Sequence, residues 1–269
     1  MTTLALPGRR IAVRSGRAAV LRACESLDEL GACVRMQGDV WGYEGNDIIP
    51  RRAFIVARHI GGQVIGAFDE HSGVLVGFAM ALPGVKQGTA GEPPRPYLHS
   101  HMLAVDPGWR NEGLGQQLKR FQREEALSRD IDHMEWTFDP LEIKNAFLNI
   151  HRLGAIVRCY LPDFYGVSSS RLQNGLPTDR LVAEWRLRSS RVAGVLAGDF
   201  GPIPPIEERM MIPAQMASWK ASGDVARALE VQQHLRKQFQ QAFQSGLAVV
   251  NFCVDEAGNG IYELAPWPQ

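Results

Sequence analysis

The chain has no excess of charge of either sign. Lys plus Arg number 29 and Asp plus Glu number 29 over 269 residues, a formal net of zero. That balance gives no global electrostatic argument for a nucleic acid or an anionic membrane surface, and neither is expected as a partner. Cysteine is scarce. Cys24, Cys33, Cys159 and Cys253 are the four, and no two are spaced C-x-x-C. A disulfide framework or a zinc cluster is therefore not expected, and a reducing cytoplasm fits. No apolar run approaches the roughly 20 residues of a membrane span. The opening M-T-T-L-A-L-P-G-R-R is too short in apolar residues to suggest a signal peptide. No internal repeat or low-complexity tract stands out. What is present is 45% hydrophobic, enough for one large domain or one domain with an appendage.

One stretch organises the rest: Y-L-H-S-H-M-L-A-V-D-P-G-W-R-N-E-G-L-G-Q-Q-L-K-R-F-Q-R, residues 97–123. Residues 98–105 are mostly apolar and bounded by Pro96 before and Asp106-Pro107-Gly108 after, which are strand limits. Leu114, Leu118 and Phe121 then recur at helical spacing, with Lys119, Arg120 and Arg123 expected on the outer side. Between strand and helix lies Arg110-Asn111-Glu112-Gly113-Leu114-Gly115. Glycines allow close backbone approach by a bulky ligand. A helix N-terminus favours an anion through its unpaired N–H groups and dipole, and Arg110 adds a fixed positive charge. The physical reading is a pyrophosphate cradle.

Two common phosphate loops do not fit. No Lys-Ser or Lys-Thr follows Gly115, as a nucleotide-hydrolase loop requires. Leu118 stands where a dinucleotide fingerprint needs its third glycine. What remains is V-x-P-x-x-R-x-x-G-x-G, matched by Val105, Pro107, Arg110, Gly113 and Gly115. That pattern resembles the coenzyme A loop of the GNAT superfamily, the acyl-CoA-dependent N-acyltransferases.

Along the chain, residues 11–14 read as a strand and 18–40 as a helix, on the spacing of Leu21, Cys24, Leu27, Leu30 and Val34. Residues 51–60 read as a helix, 64–69 and 74–82 as a hairpin, and 83–96 as a long Gly- and Pro-rich loop placed like a lid. After the loop helix come a strand at 133–138, a helix at 141–153 stopped by Gly154, and strands at 155–160 and 180–188. This order resembles the GNAT layout over roughly residues 10–190. Composition alone says only mixed α and β. The resemblance implies an α+β (mixed α/β) fold with a central twisted mixed sheet flanked by helices. Farther on, 194–205 reads as a connector and 208–213 as a strand. Residues 224–245 read as an amphipathic helix, and 247–255 with 260–264 as a hairpin. The expected organisation is an acyltransferase domain at 1–192 with an α/β extension at 193–269 packed on it.

Acyl transfer from a thioester to an amine requires a proton removed from the amine, a polarised carbonyl and a protonated leaving thiolate. The resemblance implies that backbone in Leu103, Ala104 and Val105 polarises the carbonyl and pairs with the pantetheine, as an added strand would. The loop Arg110, Asn111, Glu112, Gly113, Leu114 and Gly115 would hold the pyrophosphate. H-S-H-M-L-A-V resembles the matching strand of the arylalkylamine N-acetyltransferases, in which two histidines help to carry the amine proton. By position these are His99 and His101. Two residues apart on a strand, they are expected on one face, together with Leu103 and Val105. An imidazole titrates near neutrality, which suits the task. Both could equally be half-buried polar residues bonded to neighbours, and a zinc pair would need ligands that the sequence does not place. Many family members carry a tyrosine four residues before the glycine that ends the next helix. Here that place is Ile150, and Ile143 stands at the usual asparagine. Asn145 and Asn149 are the alternatives for the pantetheine. Tyr160, Tyr165 or a water is the alternative for the acid, although both tyrosines also fit as packing aromatics. Asp139 and Glu135 are candidates for substrate contact.

These residues lead to an expectation. The chain is a cytoplasmic N-acyltransferase that moves an acetyl or other short acyl group from acyl-CoA to a primary amine of a small molecule or amino acid. No metal is expected, and a homodimer stays open. The alternative is an acyl-CoA-binding sensor or scaffold without turnover.

Overall fold

The computed structural model describes residues 6–87, 93–170 and 173–267. The chain forms two compact units, divided between Met134 and Glu135.

In the first unit β1 (Arg9–Ala12) and β2 (Ala18–Ala23) make a hairpin. Helix α1 (Leu27–Trp41) follows, then α2 (Arg51–His59), β3 (Gln63–Asp69), β4 (Leu75–Lys86), β5 (Arg95–Val105) and α3 (Leu114–Ser128). The five strands lie in chain order and pair antiparallel. One side of this sheet packs on Leu30, Cys33 and Phe54 of α1 and α2. Leu114, Leu118 and Phe121 of α3 pack with Leu21, Ile65, Val76 and Ala79.

Residues 18–23 are a strand and not the start of a helix. Ala19 and Leu21 are fully buried while their neighbours are not, an alternation of two. The helix starts only at Ser26. The Ser26 Oγ accepts from the Glu29 N–H while the Glu29 carboxylate accepts from the Ser26 N–H, a capping box that stops α1 from extending backwards. The expected loop at 83–96 is shorter. Strand β4 runs to Lys86 and β5 begins at Arg95. Residues 88–92, in the middle of the proposed lid, lie outside the described residues.

The second unit contains most of β6 (His133–Phe138), then α4 (Ile143–Ala146), which continues through residues 147–152 as a π-helix, and β7 (Ile156–Leu161) and β8 (Arg180–Arg186). Helix α5 (Ser190–Ala197), β9 (Glu208–Ile212), α6 (Met216–Ser222), α7 (Val225–Gln244), β10 (Leu247–Val254) and β11 (Gly260–Pro266) complete it. The strand order is β6-β8-β7-β10-β11-β9. Residues 193–269 thus share a compact unit with 135–192, and their hairpin pairs onto β7 through Val249 and Val157. The start of the expected connector at 194–205 is helical. Ser189 caps α5 by accepting from the Val192 N–H, and Val192 and Val195 are buried. Helix α7 buries Leu235, Phe239 and Ala242, and the Phe239 ring meets Tyr160 and Tyr262.

Candidate functional site

The turn between β5 and α3 is built by its own sequence. The Asp106 carboxylate accepts from the Gly108 N–H at 2.8 Å, and its carbonyl accepts from the Trp109 N–H at 2.8 Å. Trp109 packs into the core, so Arg110 and Asn111 come out into solvent. Asn111 and Gly113 both have positive φ, 62° and 87°, and Gly113 is the residue from which α3 starts. An L side chain at Gly113 would be strained by its backbone, although nothing lies within 4 Å of its Cβ position. At Gly115 a Cβ would make only ordinary contact, 3.8 Å from Leu103 and Val105. The unit's own packing does not require a glycine there. A pyrophosphate on the first N–H groups of α3 would give the glycine a use.

The turn is braced from behind by the β1–β2 hairpin, which the sequence reading did not find. The Arg17 guanidinium lies 4.0 Å from the Trp109 ring and donates to the Gly108 carbonyl at 2.8 Å. The Arg14 guanidinium donates to the Asn111 carbonyl. Glu112 faces this brace and not an anion. Its carboxylate accepts from the Ser15 N–H at 2.8 Å and from Arg17 at 3.4 Å, and that hydrogen bonding, with Ser15 foremost, lowers its pKa. Only the backbone of Glu112 is therefore suited to cofactor contact.

Strand β5 carries His99 and His101, and their rings are 6.0 Å apart between centroids. Strict alternation does not connect them. Met80 pairs with Met102 and Leu82 with His99, so Ser100 and His101 together stand opposite Ala81 in a β-bulge. His101 is largely buried, and desolvation lowers its imidazole below the ordinary 6.5. That shift favours the neutral imidazole near neutral pH.

Lys119 overturns the expectation for α3. It is 1% exposed and turned inward. It donates to the Ser100 Oγ at 2.7 Å, and the Ser100 hydroxyl donates to Gln122 Oε1 at 3.0 Å. Gln122 is fully buried and Glu125 nearly so. The sheet-facing side of α3 thus has an apolar line, Leu114, Leu118 and Phe121, and beside it a second line of Lys119, Gln122 and Ala126. A sequence signal for that second line existed. The small residues Gly115 and Ala126 lie on it at helical spacing, and small residues mark close packing.

In the second unit the candidate residues are engaged with each other. The Tyr160 hydroxyl is buried and donates to Asp179 at 2.6 Å, and desolvation with that bond raises its pKa. Such a phenol is a weak acid and suits a structural role. Arg236 of α7 donates twice to the same carboxylate, at 2.8 and 2.7 Å. Lys220 of α6, 5% exposed, bonds Asp139 at 3.0 Å and Glu142 at 2.6 Å. Asp139 is therefore committed to an ion pair and is not open to a substrate amine. Tyr165 is the accessible phenol, 44% exposed, with its hydroxyl 2.9 Å from Thr137 Oγ1. Asn145 is exposed on α4. Asn149 is buried in the π-helical turn, and Ile150 beside it is 1% exposed.

A cavity of about 690 Å³ lies elsewhere in the first unit. It is lined by Leu27, Ile55, Arg58, Gln63, Phe121 and Glu125 among others, and its lining includes neither His99 nor His101 nor any residue of the 110–115 turn.

Residues 34–148 match the family model for the acetyltransferase (GNAT) family. The match takes in 115 of the 269 residues, and over that stretch the chain resembles the GNAT acetyltransferases. No curated protein matches it. Among solved structures it is similar to Arabidopsis thaliana NAA60 in complex with a bisubstrate analogue, at 15% identity and a TM-score of 0.50, covering 61% of this chain and 96% of that one. It is also similar to yncA, a putative acetyltransferase of Salmonella typhimurium with acetyl-CoA, at 17% identity and a TM-score of 0.47, covering 65% and 97%. At such identities the first likeness supports the GNAT fold alone and the second carries no further weight. The mixed α/β architecture expected from the sequence is the architecture found. The match supports acyl-CoA-dependent acyl transfer as the class of activity, and the turn at Arg110–Gly115 lies within the matched residues.

Proposed function

We propose that this GNAT protein transfers an acetyl or other short acyl group from acyl-CoA to a primary amine of a small molecule or amino acid. The observation that carries the reading is the position of His101, largely buried on a strand that leads directly into the glycine turn. Acyl-CoA supplies the activated acyl thioester. Arg110 and the N–H groups of Gly113, Leu114 and Gly115 hold its pyrophosphate, and the backbone of Leu103, Ala104 and Val105 aligns the pantetheine and polarises the carbonyl. His101, with His99 beside it, takes the amine proton as nitrogen attacks the carbonyl carbon. The carbon–sulfur bond then breaks, and the thiolate takes a proton from water. The products are the amide and free CoA. The reading places the reaction in the cytoplasm, with no metal.

One observation favours a second reading. Buried Ile150 occupies the place where many relatives carry the acid, and Tyr160 is tied to Asp179. A binding module without turnover would look like this. Incubating the full chain with acetyl-CoA and a panel of primary amines, with released thiol followed by a chromogenic reagent, separates the two. Amine-dependent CoA release supports the enzyme. Tight acetyl-CoA binding with no release for any amine supports the module.

A further inference from the structure

Among the described residues of the first unit, Lys119 is the buried lysine that the reaction above leaves without a role. A fully buried lysine is expensive, because its charge loses hydration, and burial here lowers its pKa well below 10.5. A methionine of similar length would pack in the same place at less cost. What the lysine adds is a bond of 2.7 Å to the Ser100 hydroxyl, which in turn donates to Gln122 Oε1 at 3.0 Å. Both anchors belong to α3, and Ser100 is one of the two residues of β5 that share Ala81 as partner.

A bulge is a place where register can slip. Moving the extra residue by one position reverses the face of each side chain between the old and the new site. Here the residues at risk are His99, Ser100 and His101. Two side-chain bonds from α3 to Ser100 hold the extra residue where it is. We propose that Lys119 is a positioning residue for the reaction: through Ser100 it pins the bulge of β5 and thereby fixes the imidazole of His101. The inference rests on the reading of His101 as base. On the elements packed against the bulge, the titratable groups include His99 and Tyr97 on the same strand, His133 of β6 against the Tyr97 ring, Cys33 of α1, Lys119 and, farther along α3, Glu125 paired with Arg129. The β4 residues opposite, Met80, Ala81 and Leu82, carry no charge.

The test uses the full chain with Lys119→Met, Ser100→Ala, Ser100→Thr and His101→Gln. For each, kcat against pH, amine KM, acetyl-CoA affinity by calorimetry and the NMR titration of the His101 imidazole are measured. Lys119→Met and Ser100→Ala should each lower kcat by roughly 10- to 100-fold, as a misplaced catalytic group does. Both should shift the His101 titration, with acetyl-CoA affinity changed less than about twofold, since the turn itself is untouched. Ser100→Thr, which keeps the hydroxyl, should recover most of the rate. Unchanged kcat, pH profile and imidazole titration in Lys119→Met and Ser100→Ala would overturn the inference. If Lys119→Met does not fold, Ser100→Ala decides alone. If His101→Gln leaves the pH profile intact, the base assignment falls. The NMR titration then judges the pinning by itself, and an unmoved imidazole signal in Ser100→Ala rejects it.

Discussion

In the first unit the residues suited to chemistry stand at an exposed turn and on a half-buried strand, with their backs held by arginines and a buried lysine. In the second unit residues of the same kinds face one another. Tyr160, Asp179 and Arg236 form one bonded set, and Asp139, Glu142 and Lys220 another. The difference shows what a list of polar residues does not. A tyrosine or carboxylate contributes to catalysis only where its proton or charge is not already committed, and the segments after residue 193 supply the partners that commit them here. Lys220 and Arg236 both come from that part of the chain. They tie down the turn before α4 and the end of the β7–β8 loop, and so hold in shape the segments that carry Asn145 and Tyr165.

Substitutions can break this contrast. The largest change in rate is expected from His101→Gln, which removes the titrating nitrogen and keeps polarity. Its kcat should fall roughly 10- to 1000-fold. In the unaltered protein, burial lowers the imidazole pKa, so the acid side of the kcat–pH profile should have its midpoint below about 6.5, with activity lost as pH falls and the ring protonates. That limb should flatten in the variant, and a preserved limb would return His101 to a structural role. Arg236→Met should act on stability and not on rate. Asp179 is fully buried, and loss of its cation should cost about 2–4 kcal/mol, less than a bare buried charge because Tyr160 and the Asp163 N–H still donate to it. Chemical denaturation gives that number, and kcat per folded molecule should hold. A rate that collapses while stability stays would reverse the contrast.

Much of the first unit's site was legible because it is written in local chemistry. Gly113, Gly115 and Pro107 have few other uses in that spacing, and the strand at 133–138 and helix α7 carry clean bounds or a clean apolar stripe. What was not legible depends on partners distant in sequence. Leu21 in the run at 18–23 fits a helical spacing with Cys24, and only pairing with residues 9–12 on one side and 65–69 on the other makes the run a strand. Lys119 looks like any solvent-facing lysine of an amphipathic helix until Ser100 is brought beneath it. The commitment of Asp139 is invisible because Lys220 lies 81 residues away.

Smaller effects sharpen the comparison. Arg110→Ala should weaken acyl-CoA binding by about 1–3 kcal/mol, the range for one charged hydrogen bond, with stability unchanged, as calorimetry and a thermal melt would show. Tyr160→Phe should be milder still. It removes one bond to Asp179 and should cost about 1–2 kcal/mol of stability with kcat intact. A large loss of kcat in that variant would put Tyr160 back among the proton donors.

The claim on which the rest depends is that the turn starting α3 holds the diphosphate of acyl-CoA. Calorimetric titration of acetyl-CoA into the unaltered chain, Gly113→Asn and Gly113→Asp tests it most directly. Asparagine tolerates the left-handed backbone of Gly113 and adds no charge, so it should retain measurable binding. Aspartate places a negative charge against the pyrophosphate and should abolish it. Undiminished affinity in Gly113→Asp, in a protein that melts like Gly113→Asn, would contradict the assignment.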